Sequence, residues 1–480
     1  MRIIRLTLFP WPMMVLIIFI CLVESCSLIS DRKSKDALPV VVDLSRNIGE
    51  FKGMGANIPI GFYNRRTKPL QVLSDLHVKV IRVKRSRENW DDILALKAAT
   101  HRLRIKWIYS LDHIPQTFLD DKNFLVDVDG FADWWAEEVD ELNYQEVPAD
   151  YIELVDSPDG SHESSPVMDS DTYNRLLHSI RRELDYREYQ NVQIIGPGLS
   201  DMGVDHLRET WYIDLDQQAF EMISNWSVAL FDDTTRSLEI DRRTLAYSDY
   251  LKKIESQKPI FVTTYGNQQN QYGKNIYPHP EHYDILGNKD GYERYYYSAS
   301  FSTPFGLRVY SNTLKLLTQA NVTPFIHQLY DAPDDVKFKK RSWGWLDLNG
   351  EPKPVYSLLS NLFKMIPEQA SIIPVELDLQ SGLTAMAFVG QEKIIVTVCS
   401  ESLAKKDIQV LLKGLKGSLE FTAAQVLSTP IINSPDLGRM DQVVKNEESL
   451  KMKRSSVENA HSFKYTIEPN TVLLAEFSIR

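Results

Sequence analysis

The chain has 480 residues, 43% hydrophobic, 25% charged and 10% aromatic, which describes a folded globular protein of two or three domains and excludes a fibrous or largely disordered one. Asp and Glu outnumber Lys and Arg by 65 to 54, a net charge of -11. With no long basic tract to offset it, that balance excludes nucleic acid as the main partner.

Arg2 and Arg5 precede an apolar run at 13–23 (MMVLIIFICLV), too short to span a bilayer comfortably and suited to the core of a signal peptide, so residues 1–25 are read as a removable export signal. The sequence Leu22-Val23-Glu24-Ser25-Cys26 resembles a bacterial lipoprotein cleavage box, with Cys26 as the lipidated residue and Glu24 an unusual occupant. An exported, lipid-anchored protein of a bacterial cell envelope is the expectation; an ordinary signal peptide or an uncleaved anchor is the alternative. Cys21, Cys26 and Cys399 are the only cysteines, too few for a disulfide framework. Residues 26–37, containing SDRKSKD, read as a solvated tether, and 38–48, beginning LPVVVDL, as a strand that joins a later sheet.

From 49 to 367 short β-rich runs alternate with helical patterns, the signature of a parallel sheet with crossover helices. Strands are expected at 53–57, 80–84, 105–111, 151–155, 192–196, 226–231, 259–264 and 324–329. Eight of them fit an α/β fold of the TIM (β/α)8 barrel type with insertions. No GxGxxG follows an early strand, so a dinucleotide site lacks its fingerprint. From 368 to 480 the helical period disappears, and runs at 374–379, 383–388, 393–399, 407–412, 419–426 and 471–479 read as a small antiparallel β-sandwich. The polar stretch 433–456 is expected to be a mobile loop. No internal repeat or low-complexity tract is present.

Barrel chemistry lies at the C-terminal ends of the strands. The fourth ends Tyr151-Ile152-Glu153-Leu154-Val155-Asp156-Ser157-Pro158-Asp159-Gly160, and the seventh reads Lys258-Pro259-Ile260-Phe261-Val262-Thr263-Thr264-Tyr265-Gly266. Both resemble the corresponding strands of the clan-A retaining glycoside hydrolases, as do Gly53-Met54-Gly55-Ala56 early on and Trp343-Gly344-Trp345-Leu346-Asp347 with Pro352-Lys353-Pro354-Val355-Tyr356 near the barrel's end. The resemblance implies a barrel with a C-terminal sandwich and a polysaccharide partner, and it implies no cofactor. It also places the acid/base at Ser157 and the nucleophile at Thr264, where the family carries glutamates. Retaining hydrolysis needs two carboxylates about 5 to 5.5 Å apart, and unactivated hydroxyls replace neither. Ala229 and His327 occupy positions where relatives often carry histidine and tryptophan.

Glu153 shares the inward parity of Ser157 but lies four residues earlier, about 13 Å deeper at about 3.3 Å per residue, so a buried ion pair with Arg82 of the second strand is its expected role. Asp156, with Asp112, His113, Asp232, His327 and Asp331, could supply a relocated mechanism. No His/Cys/Asp cluster has metal-ligand spacing and no Ser/His pair sits in a nucleophile elbow. Between Tyr265 and Tyr297 lie eight tyrosines among amides and histidines, a composition suited to sugar faces and hydroxyls. The glycan-binding candidates are Asp156, Tyr265, Tyr272, Tyr277, His327, Gln328 and Asp331. The leading expectation is a glycan-binding protein without hydrolysis; the alternatives are an active glycosidase with relocated carboxylates and a structural envelope protein with a protein partner.

Overall fold

The computed structural model describes residues 37–59, 69–85, 90–111, 114–147, 149–156, 158, 168–200, 214–232, 258–267, 303–319, 321–331, 344–347, 350–378, 381–415, 419–428, 443–446, 453–454 and 461–480. Ahead of the barrel run β1 (Leu38–Asp43) and β2 (Gly49–Glu50). Eight parallel strands then close in chain order: β3 (Met54–Ile58), β4 (Val78–Arg85), β5 (Lys106–Leu111), β6 (Tyr151–Glu153), β7 (Gln193–Ser200), β8 (Ile223–Asp232), β9 (Ile260–Asn267) and β10 (Val322–Ile326), the last pairing with the first. Each of the eight expected strands is present, with ends displaced by a few residues.

Alternation along the strands sorts the interior into layers. Val80, Ile108, Tyr151, Ile195, Phe261 and Phe325 form an apolar plug. Two residues further along β4, β5 and β6 stand Arg82, Ser110 and Glu153, all buried, so the next layer toward the mouth is polar.

The described outer helices are α1 (Pro69–Asp75), α2 (Trp90–Thr100), α3 (Val128–Tyr144), α4 (Ser170–Tyr186), α5 (Gln217–Met222), α6 (Thr303–Leu317) and α7 (Pro354–Met365). The starts of α3 and α4 show why they form where they do. Asp127 accepts the amide of Gly130 at 3.0 Å and Asp169 that of Thr172 at 2.8 Å, each satisfying a donor that the first turn leaves unpaired. Behind those caps, Phe131, Trp135, Val139 and Leu142 of α3, and Tyr173, Leu176, Leu177, Ile180 and Leu184 of α4, turn one apolar stripe to the barrel.

The remaining strands are β11 (Ser371–Glu376), β12 (Leu383–Val389), β13 (Lys393–Ser400), β14 (Lys406–Lys413), β15 (Leu419–Ser428), β16 (Val443–Asn446), β17 (Lys453–Arg454), β18 (His461–Ile467) and β19 (Thr471–Ile479). They form a second, β-rich sheet that folds over its own core. β1 lies inside this sheet, antiparallel to β11 and parallel to β14 over six register pairs. The sheet is therefore not wholly antiparallel. β16 and β17 fall within 433–456, so part of that expected loop is strand. β18 is an additional strand beyond the expected ones, although Phe463, Tyr465 and Ile467 alternate with Ser462, Lys464 and Thr466 along it.

β13 is buried on both faces, with one face in the sandwich core and the other joined through Ile395 and Cys399 to the core of the barrel helices. The seam to α6 is also hydrogen-bonded: Tyr310 and Thr397 hydroxyls meet at 2.6 Å, as do Ser311 and Thr384.

Inside the barrel, a Cβ on Gly55 would fall within the contact radius of the Phe325 ring, so this strand tolerates no side chain there. Gly55→Ala is expected to lower stability by about 1 to 3 kcal/mol, the usual range for overpacking a filled core, measured by urea denaturation.

Candidate functional site

The polar layer is organised around Arg82. Its Nε donates to Glu153 Oε2 at 2.6 Å and its Nη2 to Ser110 Oγ at 3.0 Å, while Nη1 reaches Asn57 Oδ1 at 3.2 Å. Both charges are almost fully enclosed. Asn57 passes the connection on, its amide donating to the carbonyls of Thr263 at 2.6 Å and Ile326 at 3.1 Å. Thus β3, β4, β5, β6, β9 and β10 are tied together beneath the mouth, and Glu153 has the buried structural pairing that its depth implied.

At the edge of the opening Asp156 Oδ2 meets both Arg82 Nη2 and Lys84 Nζ at 3.2 Å. Burial raises the pKa of Asp156, but the Arg82 and Lys84 charges outweigh it and hold the carboxyl well below the usual carboxylate range. The segment leading to Asp156 is steadied from outside the barrel, where Trp135 Nε1 donates to the Leu154 carbonyl at 3.2 Å. From β7, Gly198 approaches at φ +70°, and a Cβ there would stand 3.1 Å from Glu153 Oε1 and 3.5 Å from Ser227 Oγ. A side chain at that position would be both strained and crowded.

Thr264 follows from its neighbours. Phe261 points into the barrel plug, a register shift lies between Val228 and Ala229 of the partner strand, and Tyr265 donates to or accepts from Thr313 Oγ1 on α6 at 2.7 Å. Tyr265 therefore faces the helix layer, and alternation turns Thr264 inward, buried and opposite Ala229 in the register. Side by side at the ends of β8 and β9 are a methyl and a hydroxyl.

The structure removes two glycan candidates. Tyr265 is buried with its hydroxyl engaged on α6, because the same alternation that turns Thr264 inward turns it outward. Asp331 is buried too, pairing with Lys353 Nζ at 2.5 Å and accepting the Gly344 amide at 2.6 Å, so it closes the strand-eight loop onto the start of α7. His327 and Gln328, just beyond the end of β10, are half-buried. Ser157, Tyr272, Tyr277, Asp112, His113 and Cys26 lie outside the described residues, as does the side chain of Asp232. Lys84, Asn57 and Lys353 were not anticipated as participants. Lys84 was accessible by adding two to Arg82, and Asn57 and Lys353 sit beside or within motifs already noted. Among the described residues no group of three His, Cys, Asp or Glu side chains could hold a metal ion.

No protein-family model and no curated protein matches the sequence. Solved structures do. A glycoside hydrolase family 30 subfamily 8 xylanase from Clostridium acetobutylicum superimposes with a TM-score of 0.61 at 10% identity, over 92% of this chain and 99% of that one. The α-L-arabinofuranosidase from Thermotoga maritima gives 0.61 at 11% identity over 92% and 100%. A conserved exported protein from Bacteroides fragilis gives 0.62 at 11% over 91% and 99%. The fold is glycoside-hydrolase-like. Among the described residues no helix is long and apolar enough to cross a membrane.

Two measurements probe this layer. Arg82→Leu is expected to cost about 3 to 5 kcal/mol by leaving Glu153 buried and unpaired, and Arg82→Leu with Glu153→Leu less than the sum of the single changes, both read from denaturant midpoints. For Asp156, a folded pKa below the unfolded value of about 3.9 means its stabilisation is fully present above that pH and is lost as pH falls toward the folded pKa. The wild type should exceed Asp156→Asn in stability at pH 7, and the gap should shrink steadily below about pH 4.

Proposed function

We propose that this protein binds a polysaccharide in the barrel mouth without hydrolysing it. The observation that carries the reading is Thr264: the end of β9, where retaining relatives are expected to hold their nucleophile, presents an inward hydroxyl beside the methyl of Ala229. A covalent glycosyl intermediate needs a carboxylate there. The motif assigns the partner position to Ser157, which also lacks a carboxyl group.

Of the relocated candidates, the two described carboxylates do not substitute. Asp331 is buried against Lys353. Asp156 is held deprotonated by Arg82 and Lys84, the wrong state for a general acid, which must carry a proton near neutral pH. The same anchoring suits a binding role: a fixed, charged acceptor takes hydrogen bonds from sugar hydroxyls, and His327 and Gln328 add further polar contacts across the opening. The xylanase and the α-L-arabinofuranosidase with the same fold make xylan and arabinose-containing glycans the first ligands to try. The export signal, with Cys26 as lipid attachment point, and the exported structural relative support a place on the outside of a bacterial membrane.

The wild type is expected to bind an oligosaccharide with no product released over hours at micromolar protein, followed by chromatography of the reducing ends. Ser157→Glu with Thr264→Glu should create slow hydrolysis with retention of configuration, and either change alone far less, because proton transfer contributes typically about 10² to 10⁴-fold. Robust hydrolysis by the unmodified protein that disappears in Asp156→Asn would overturn the reading. Cys26→Ser should abolish incorporation of labelled palmitate.

A further inference from the structure

The loop after β5 ends in a small hairpin tip. Leu119 and Leu125 form an antiparallel bridge, Asp120 donates its amide to the Phe124 carbonyl, and Val126 donates to that of Phe118. The Asp120 carboxylate also accepts the amides of Lys122 and Phe124, at 2.9 and 2.8 Å, so the turn is pinned before anything binds. Leu125 is buried and holds one face down. By alternation Phe124 and Val126 take the other face, and they are 43% and 61% exposed. At the base of the tip Phe118 packs on Phe131 and Trp134, with centroids 5.6 and 6.5 Å away. A partly exposed aromatic ring sits on a hydrogen-bonded stem.

Two facts say what covers it. The tip follows a barrel strand, so it belongs to the face that carries Asp156 and Thr264, and the helix it leads into is the one whose Trp135 steadies the approach to Asp156. Its apolar area is also small: one aromatic and one valine, where a stable protein interface buries about 800 Å² a side from roughly 20 to 30 residues. A ring with an apolar face and a hydroxylated edge fits that area, and the same loop carries exposed Gln116, Thr117, Asp121 and Lys122, which offer donors and acceptors.

We infer that Phe124, backed by Val126, is a second contact for the same glycan, a platform on the rim against which a sugar unit stacks several units away from Asp156. The ligand class is then a long polymer that crosses the mouth and passes over the rim. This rests on the glycan-binding reading. Pre-ordering by Asp120 fits it, since a platform already in place loses little freedom on binding.

The test compares the purified full chain with Phe124→Ala and Phe124→Trp, using defined oligosaccharides of three and six units from xylan, arabinan and cellulose in calorimetric titration. Phe124→Ala should weaken hexasaccharide binding about fivefold or more while leaving trisaccharide binding and the melting temperature unchanged, and Phe124→Trp should retain the hexasaccharide affinity. Tyr186→Ala, which removes an 85% exposed ring elsewhere, should change neither. Equal hexasaccharide affinities for wild type and Phe124→Ala would overturn the platform and leave the mouth reading standing. Absence of binding by the wild type to every probe would overturn both. A wild-type dimer in sedimentation that becomes monomeric in Phe124→Ala would show that a second copy covers the ring, and would likewise overturn the platform.

Discussion

A guanidinium enclosed in a barrel must be met on every side, and Arg82 is enclosed. Its positive charge cannot be discarded by deprotonation at any ordinary pH, so the surrounding strands have to bring oxygen to it. Glu153, Ser110 and Asn57 do so from three different strands, and Asp156 from the loop beyond β6. Asn57 can serve Arg82 with its oxygen only while its nitrogen points at the Thr263 and Ile326 carbonyls. The position of the β9 and β10 ends is in this way coupled to a charge on β4.

The same arrangement explains how the mouth stays ordered with Thr264 and Ala229 at the ends of β9 and β8. The charged groups described there are paired, Arg82 and Lys84 with Glu153 and Asp156, and Lys353 with Asp331. They satisfy one another. Thr264 and Ala229 sit beside this balanced set and disturb none of its contacts.

Much of this was legible in the sequence. The order of the eight strands followed from their spacing, and parity alone paired Arg82 with Glu153, because both occur at inward positions flanked by apolar residues. Tyr265 shows the limit. Its place in the chain suggested the mouth, yet a register shift and one step of alternation send its ring to α6, and neither is visible without the partner strand. Asp331 shows another: whether a carboxylate near a strand end faces solvent or a buried lysine depends on how the loop folds back, and Lys353 lies 22 positions further on. The Phe124 tip was missed for the opposite reason, since a lone phenylalanine in a polar loop reads as ordinary until its hydrogen bonds show that it cannot turn inward.

The strand that precedes the barrel has a mechanical meaning. β1 enters the sheet between β11 and β14 and runs parallel to the latter over its full length. Tension on the chain ahead of Leu38 acts along that strand, so the ladder is loaded in shear, with all its hydrogen bonds sharing the force, instead of being peeled open one bond at a time. A domain held this way resists being stripped from its N-terminal end, and the load passes into the sandwich before it reaches the barrel.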